Sequence, residues 1–211
     1  MDGVLLLSSS IHDEAYREAL APFALSRFDY SEIAGRRTDE ALRYVFSDNG
    51  IECTDEEVAR ISSLKSRLAR QKLAEKKPIA AGAVPLLRTL AEAYPLALAS
   101  SASEGTVDLF LKLSGLGDVF TAILNGADVP VAKPAPEIYL LACSRLSLAP
   151  SRCLVVEDAV SGVIAGKAAG AIVWGLSSDS AARDLRDAGA DRVIGTLDEL
   201  YELVGVATGG S

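Results

Sequence analysis

Apolar and polar positions along the chain fall into two textures that meet at Pro78. From Ile11 to about Lys77 the chain is charged, and apolar residues recur at helical spacing. Ala41, Leu42, Val45 and Phe46 form one such stripe, and Val58, Ile61, Leu64 and Leu68 another. Asn49-Gly50 predicts a stop between them. Thr54-Asp55-Glu56-Glu57 predicts an N-cap followed by an acidic first turn. No run in this half reads as a strand.

After Pro78, short apolar runs appear at 96–99, 120–124, 153–156, 171–174 and 192–194, each followed by small or polar residues. Helices are predicted between them at 83–93, 104–113, 136–146, 162–169 and 180–188, and residues 207–211 read as a frayed tail. Strands alternating with helices predict an α/β fold built on a parallel, doubly wound sheet. The chain opens on Asp2-Gly3, a turn signal with no strand ahead of it.

Composition narrows the function more than the fold. At 211 residues, 49% hydrophobic, the chain has room for one domain with an insertion and a buried core. A formal net charge of -8 argues against a nucleic-acid-binding face, so an anionic ligand must be drawn by local cations. The apolar runs fall far short of the roughly 20 residues that span a bilayer, and Asp2 stands where a secretory leader would be basic. Cys53, Cys143 and Cys153 are odd in number and widely spaced, which predicts a reduced, cytoplasmic protein.

Four patches bear chemistry, each at or just after the C-terminal end of a strand, the edge where open α/β sheets bind ligands. They are Asp2-Gly3-Val4-Leu5, the hydroxyls Ser100-Ser101, Lys133 within Lys133-Pro134-Ala135-Pro136-Glu137, and the acids Glu157-Asp158 followed by Ser161-Gly162. Taken singly, each has a structural explanation: a turn, a strand end, a loop lysine, an acidic helix start. Acid, hydroxyl, lysine and paired acids on successive strand ends are a much rarer combination.

In that order the patches resemble the motifs of the haloacid dehalogenase superfamily, in particular the subfamily of β-phosphoglucomutase and the phosphoglycolate-type phosphatases. The resemblance runs from Met1 to about Gly175. It implies a Rossmann-like core at 1–10 and 79–211 and a small α-helical cap at 11–78. It also implies Mg²⁺ as cofactor, held by Asp2, Glu157 and Asp158, and a small phosphate ester as substrate. By the same resemblance Asp2 is the acid–base residue, and Ser100 and Lys133 hold the transferred phosphoryl group, with Ser101 beside them. Gly35-Arg36-Arg37-Thr38 matches the cap loop that faces the site, and Lys65 and Arg67 lie on a later cap helix. These cations are either substrate contacts or solvated surface charges. His12 falls near the hinge between core and cap.

The chain departs from the pattern in three places. The family's first motif is Asp-x-Asp-Gly-Val-Leu, and Met1 takes its x position, so the attacking aspartate would directly precede Met1. Leu7 stands where the family often has Asp or Asn, and Ala132 where a glycine usually precedes the lysine. The expectation is therefore a Mg²⁺-dependent phosphatase, monomeric or weakly dimeric, inactive without an upstream apolar strand ending in Asp. The alternatives are a phosphomutase of the same type and a catalytically inactive relative that keeps its Mg²⁺ and phosphate contacts.

Overall fold

The computed structural model describes residues 1–177 and 181–204. The expected helix start at Ser180 and the tail at 207–211 lie outside the described residues. Three helices come first: α1 (Ser9–Leu20), α2 (Thr38–Asp48) and α3 (Asp55–Lys76). Thr54 caps α3 as its sequence predicts. Its hydroxyl accepts from the Glu57 N–H, and the Glu57 carboxylate accepts from the Thr54 N–H at 2.9 Å. The stripes on these helices close over a core of their own around Tyr16, Leu42, Phe46, Val58 and Ile61. Lys72 and Lys76 tie α3 to Glu14 and Glu18 of α1.

The remainder alternates as expected: α4 (Ala83–Ala93), β1 (Ala97–Ala99), α5 (Glu104–Ser114), β2 (Ala122–Leu124), α6 (Glu137–Arg145), β3 (Leu154–Glu157), α7 (Val160–Ala168), β4 (Ile172–Leu176), α8 (Ala181–Asp187), β5 (Arg192–Ile194) and α9 (Leu197–Val204). All strand pairs are parallel. Among the described residues the strands pair as β1-β2 and as β3-β4-β5. One apolar cluster, around Leu86, Leu98, Phe110 and Leu197, packs under α4, α5 and α9. Another, around Tyr139, Val163, Val173 and Leu185, packs under α6, α7 and α8.

The helical layer joins the strand layer through two adjacent crossings. The Leu7 N–H donates to the Pro78 carbonyl at 2.7 Å, and the Ala80 N–H to the Leu5 carbonyl at 2.9 Å. The fold is thus α/β with an inserted helical unit. Among the described residues no helix is long and apolar enough to cross a membrane. Cys53, Cys143 and Cys153 are free thiols.

Candidate active site

A parallel sheet sends all its C-terminal strand ends to one edge, and the four motif patches meet there. Asp2, Ser100, Ser101, Lys133, Glu157 and Asp158 line one cavity of about 80 Å³. The helical layer closes it with His12, Tyr16, Tyr30, Arg36 and Lys65.

Asp2 is positioned by the turn that follows it. Gly3 takes φ +67°, a conformation glycine adopts without a Cβ penalty. The turn is closed by the Gly3 N–H donating to the Leu6 carbonyl at 2.8 Å. The Asp2 Oδ1 accepts the Ser8 hydroxyl at 2.6 Å and lies 3.0 Å from His12 Nε2. Lys65 Nζ lies 3.2 Å from His12 Nδ1 and 4.3 Å from the centre of the Tyr16 ring. An ammonium has only hydrogens to give, so Nδ1 accepts and Nε2 carries the proton toward Asp2. Burial raises the Asp2 carboxyl, but the His12 contact, the amino terminus and Ser8 more than offset it and hold the group well below the usual carboxylate range. Burial pushes Lys65 down to about 8, against the pull of the Asp2 charge.

Lys133 and Glu157 form a buried ion pair, 5% and 8% exposed, with Nζ 2.5 Å from Oε1. The Tyr139 hydroxyl donates to the same oxygen. Burial raises the Glu157 carboxyl, while Lys133 lowers it further and leaves it below its ordinary value. The neighbouring Asp158 has no cationic side chain against it. Burial, then the Glu157 charge, push it up to about 7.

In this structure the Glu157 carboxylate accepts from Lys133 and Tyr139, and the Asp2 carboxylate lies against Ser8 and His12. Among the described residues no three His, Cys, Asp or Glu side chains converge on one point. Two other site expectations divide. Arg36 lines the cavity with its guanidinium over the Tyr44 ring, 4.8 Å from the centroid. Arg37 does not line the cavity: it pairs with Asp39 and Glu40 and reaches the Val129 carbonyl at 3.4 Å. Arg67 is exposed on α3. Ser100 is buried, and its hydroxyl accepts the Ala102 N–H at 3.1 Å.

Sequence reasoning missed Ser8, Tyr139 and Tyr30. A Ser-x-x-x-His spacing on a helix places Ser8 and His12 on one face, a signal available before folding. Tyr139, one turn into α6, had no signal beyond an apolar stripe.

Comparison with known proteins bears on the same residues. The sequence model of haloacid dehalogenase-like hydrolases matches residues 1–170. The bifunctional riboflavin kinase/FMN phosphatase of Arabidopsis thaliana is 31% identical over 202 residues, covering 93% of this chain and 52% of that protein, so the chain spans about half of its length. Hexitol phosphatase A of Escherichia coli is 30% identical over 210 residues, 95% of this chain and 90% of that one. The crystal structure of a hydrolase from Pseudomonas syringae superposes with a TM-score of 0.85 at 28% identity, covering 98% of this chain and 96% of that one.

Proposed function

The chain belongs to the haloacid dehalogenase-like hydrolases, and from that membership we propose that it carries the working groups of a Mg²⁺-dependent phosphatase of small phosphorylated metabolites such as sugar phosphates. One observation carries the reading: Asp2, Ser100, Lys133 and Asp158, from four separate stretches of the chain, line a single cavity. Residues 11–78 are read as a cap that selects the substrate, with Arg36 and Lys65 at its inner face.

The donor chemistry suits a hard cation. Asp158 is a half-buried carboxylate with no cationic side chain beside it among the described residues, and it lies against the Asp2–Gly3 turn. Asp158 and the main-chain carbonyl of Asp2 would hold Mg²⁺, with Glu157 acting one step removed by fixing Lys133. Bound there, the ion would offset the repulsion between phosphate oxygens and an attacking carboxylate.

The chain's own residues move protons and hold charge. The Lys133 ammonium and the Ser100 hydroxyl, once turned from the Ala102 amide, donate to the phosphoryl oxygens as charge spreads over them. An aspartate carboxylate attacks phosphorus, the P–O ester bond breaks, and Asp2 gives its proton to the departing oxygen. Asp2 then takes a proton from water, whose oxygen attacks phosphorus. The acyl-phosphate P–O bond breaks, which releases inorganic phosphate and restores the carboxylate. The proton taken from water leaves Asp2 ready for the next departing oxygen, and Ser8 and His12 fix the orientation of its carboxyl group. By the family motif, the attacking aspartate is the residue one position ahead of Met1.

The test compares this chain with the same chain carrying an N-terminal apolar strand that ends in Asp. Both are assayed on a panel of sugar phosphates with and without Mg²⁺. Metal-dependent phosphate release by the extended form alone is expected. Equal turnover by both would place the nucleophile elsewhere, and no turnover by a folded extended form would overturn the phosphatase reading.

A further inference from the structure

Two tyrosines of the helical layer line the polar cavity, Tyr16 and Tyr30, with ring centroids 6.2 Å apart. They differ at the hydroxyl. Tyr16 shares a hydrogen bond with the Thr38 side chain, and its ring carries the Lys65 ammonium. The Tyr30 hydroxyl has no hydrogen-bond partner among the described residues. Phenols that are taken out of water find a partner in most folds. A half-buried tyrosine in a cavity wall with its hydroxyl unused is therefore a donor left for a ligand.

The chain fixes this side chain from the backbone outward. Tyr30 opens a short 3-10 helix, Tyr30–Glu32. The Asp29 carboxylate caps it, accepting from the Ser31 N–H at 2.9 Å and from the Ser31 hydroxyl at 2.8 Å. The Ile33 N–H closes the turn on the Tyr30 carbonyl at 3.1 Å, and Ile33 is buried in the core of the helical layer. With its backbone held and its ring against Tyr16, Tyr30 offers a donor that loses little freedom on binding. Burial, then the Asp2 charge, with Tyr16 and Asp158 after it, raise the hydroxyl above its ordinary value, so it stays protonated. It is thus close enough to Asp2 and Asp158 to feel both charges, yet bonded to neither.

The phosphatase reading sets what lies opposite. The phosphoryl oxygens go to Lys133 and Ser100, and the departing ester oxygen goes to Asp2. The carbon on that oxygen then lies between Asp2 and the helical layer, and the next carbon lies beneath Tyr30. We propose that Tyr30 is a specificity-determining residue, donating a hydrogen bond to an oxygen on the carbon next to the phosphate-bearing carbon. The class selected is a phosphate monoester with a neighbouring hydroxyl or ether oxygen, as in polyol and sugar phosphates, over esters with hydrocarbon at that position. The direction of the ester rests on the phosphatase reading, and the test separates the two.

The ligands are ethylene glycol monophosphate and propyl phosphate, in which a methyl group replaces the hydroxyl and nothing else changes. Calorimetry measures the binding of each to the 211-residue chain with Mg²⁺, beside inorganic phosphate. The parent should favour the glycol ester by about three- to tenfold, the effect of one hydrogen bond between neutral groups. Tyr30→Phe keeps the ring against Tyr16 and removes only the oxygen. It should bind the two esters alike, with its affinity for inorganic phosphate unchanged. A preference that survives in Tyr30→Phe, no preference in the parent, or an equal loss for all three ligands would overturn the proposal. Turnover by the N-terminally extended chain tells the two readings apart. Phosphate release from both esters, in the same ratio for parent and Tyr30→Phe, would overturn the Tyr30 contact and leave the phosphatase standing. A Tyr30-dependent preference in binding with no release from either ester would overturn the phosphatase and leave the contact standing. If neither ester nor inorganic phosphate binds, both are overturned.

Discussion

The Asp158 carboxylate lies so close to the Cα of Gly3 that a methyl group on Gly3 would sit 1.6 Å from Oδ2. The two residues are 155 positions apart, and a side chain at position 3 would require Asp158 to move. Gly3→Ala should destabilise the fold by several kcal/mol, of which the backbone conformation at φ +67° accounts for only about 1–2 kcal/mol. Urea melts of Gly3→Ala, Asp158→Ala and the double variant measure the remainder. The double variant should be markedly less destabilised than the sum of the singles. Additive losses would show that the contact is absent in solution.

Stability should depend on pH through Asp158. Its folded-state value of about 7 lies above the ordinary 3.8. Both states are protonated well below pH 4, so the group contributes nothing there. As pH rises toward 7 the unfolded chain releases its proton first, and the folded state is progressively penalised. Asp158→Asn should therefore gain at least about 1 kcal/mol relative to the parent between pH 4 and pH 8. Thermal melts across that window would show the gain, and a flat difference would refute the assignment.

Lys133 and Asp158 should fail differently when truncated. Lys133→Ala leaves Glu157 buried beside Tyr139 without its cation, a loss of roughly 3–5 kcal/mol for a broken buried pair. In the extended enzyme it should also slow turnover by about 10²–10³-fold, and added Mg²⁺ should not recover it. Asp158→Ala should raise the Mg²⁺ requirement, with partial recovery at high metal. A Mg²⁺ titration of turnover for both variants separates the roles. Near-normal activity of Lys133→Ala would reduce Lys133 to a structural lysine.

Arg36 and Arg37 are adjacent in sequence and should behave as opposites. Arg36→Ala removes a cation from the cavity wall and should change the preference among phosphate esters in the extended enzyme. Arg37→Ala should leave that preference unchanged and cost under about 1 kcal/mol, the usual scale of partly exposed ion pairs. The check is kcat/KM for four or five esters with each variant.

Much of this architecture can be read along the chain. The expected helix at 83–93 matches α4 to the residue, and the Thr54 capping box and every strand are found within three residues of their expected ends. Local signals suffice there, because caps and periodicity act within one or two turns. α9 was not anticipated although Leu197, Leu200 and Tyr201 repeat at helical spacing. At eight residues it depends on packing against α4 more than on propensity. The same holds within the site. The motifs bring Asp2, Ser100, Lys133 and Asp158 to one place, but the partners of Glu157, Lys133 and Tyr139, lie 24 and 18 positions away, and the bond from Arg37 to Val129 spans 92.

The segment around Gly35 rests directly on the strand layer. A Cβ on Gly35 would lie 2.7 Å from the Ser161 hydroxyl oxygen, and that hydroxyl reaches the Ala34 carbonyl only at 3.5 Å. The cavity beneath, about 80 Å³, is only partly enclosed. On the phosphatase reading, a sugar phosphate larger than its phosphoryl group presses on this segment, and the segment must lift for the substrate to enter and the product to leave. The bonds to be broken are the long Ser161–Ala34 contact and the 3.4 Å bond from Arg37 to Val129. With so weak a latch, turnover governed by its opening would slow in proportion to solvent viscosity while the bond-breaking step stayed the same.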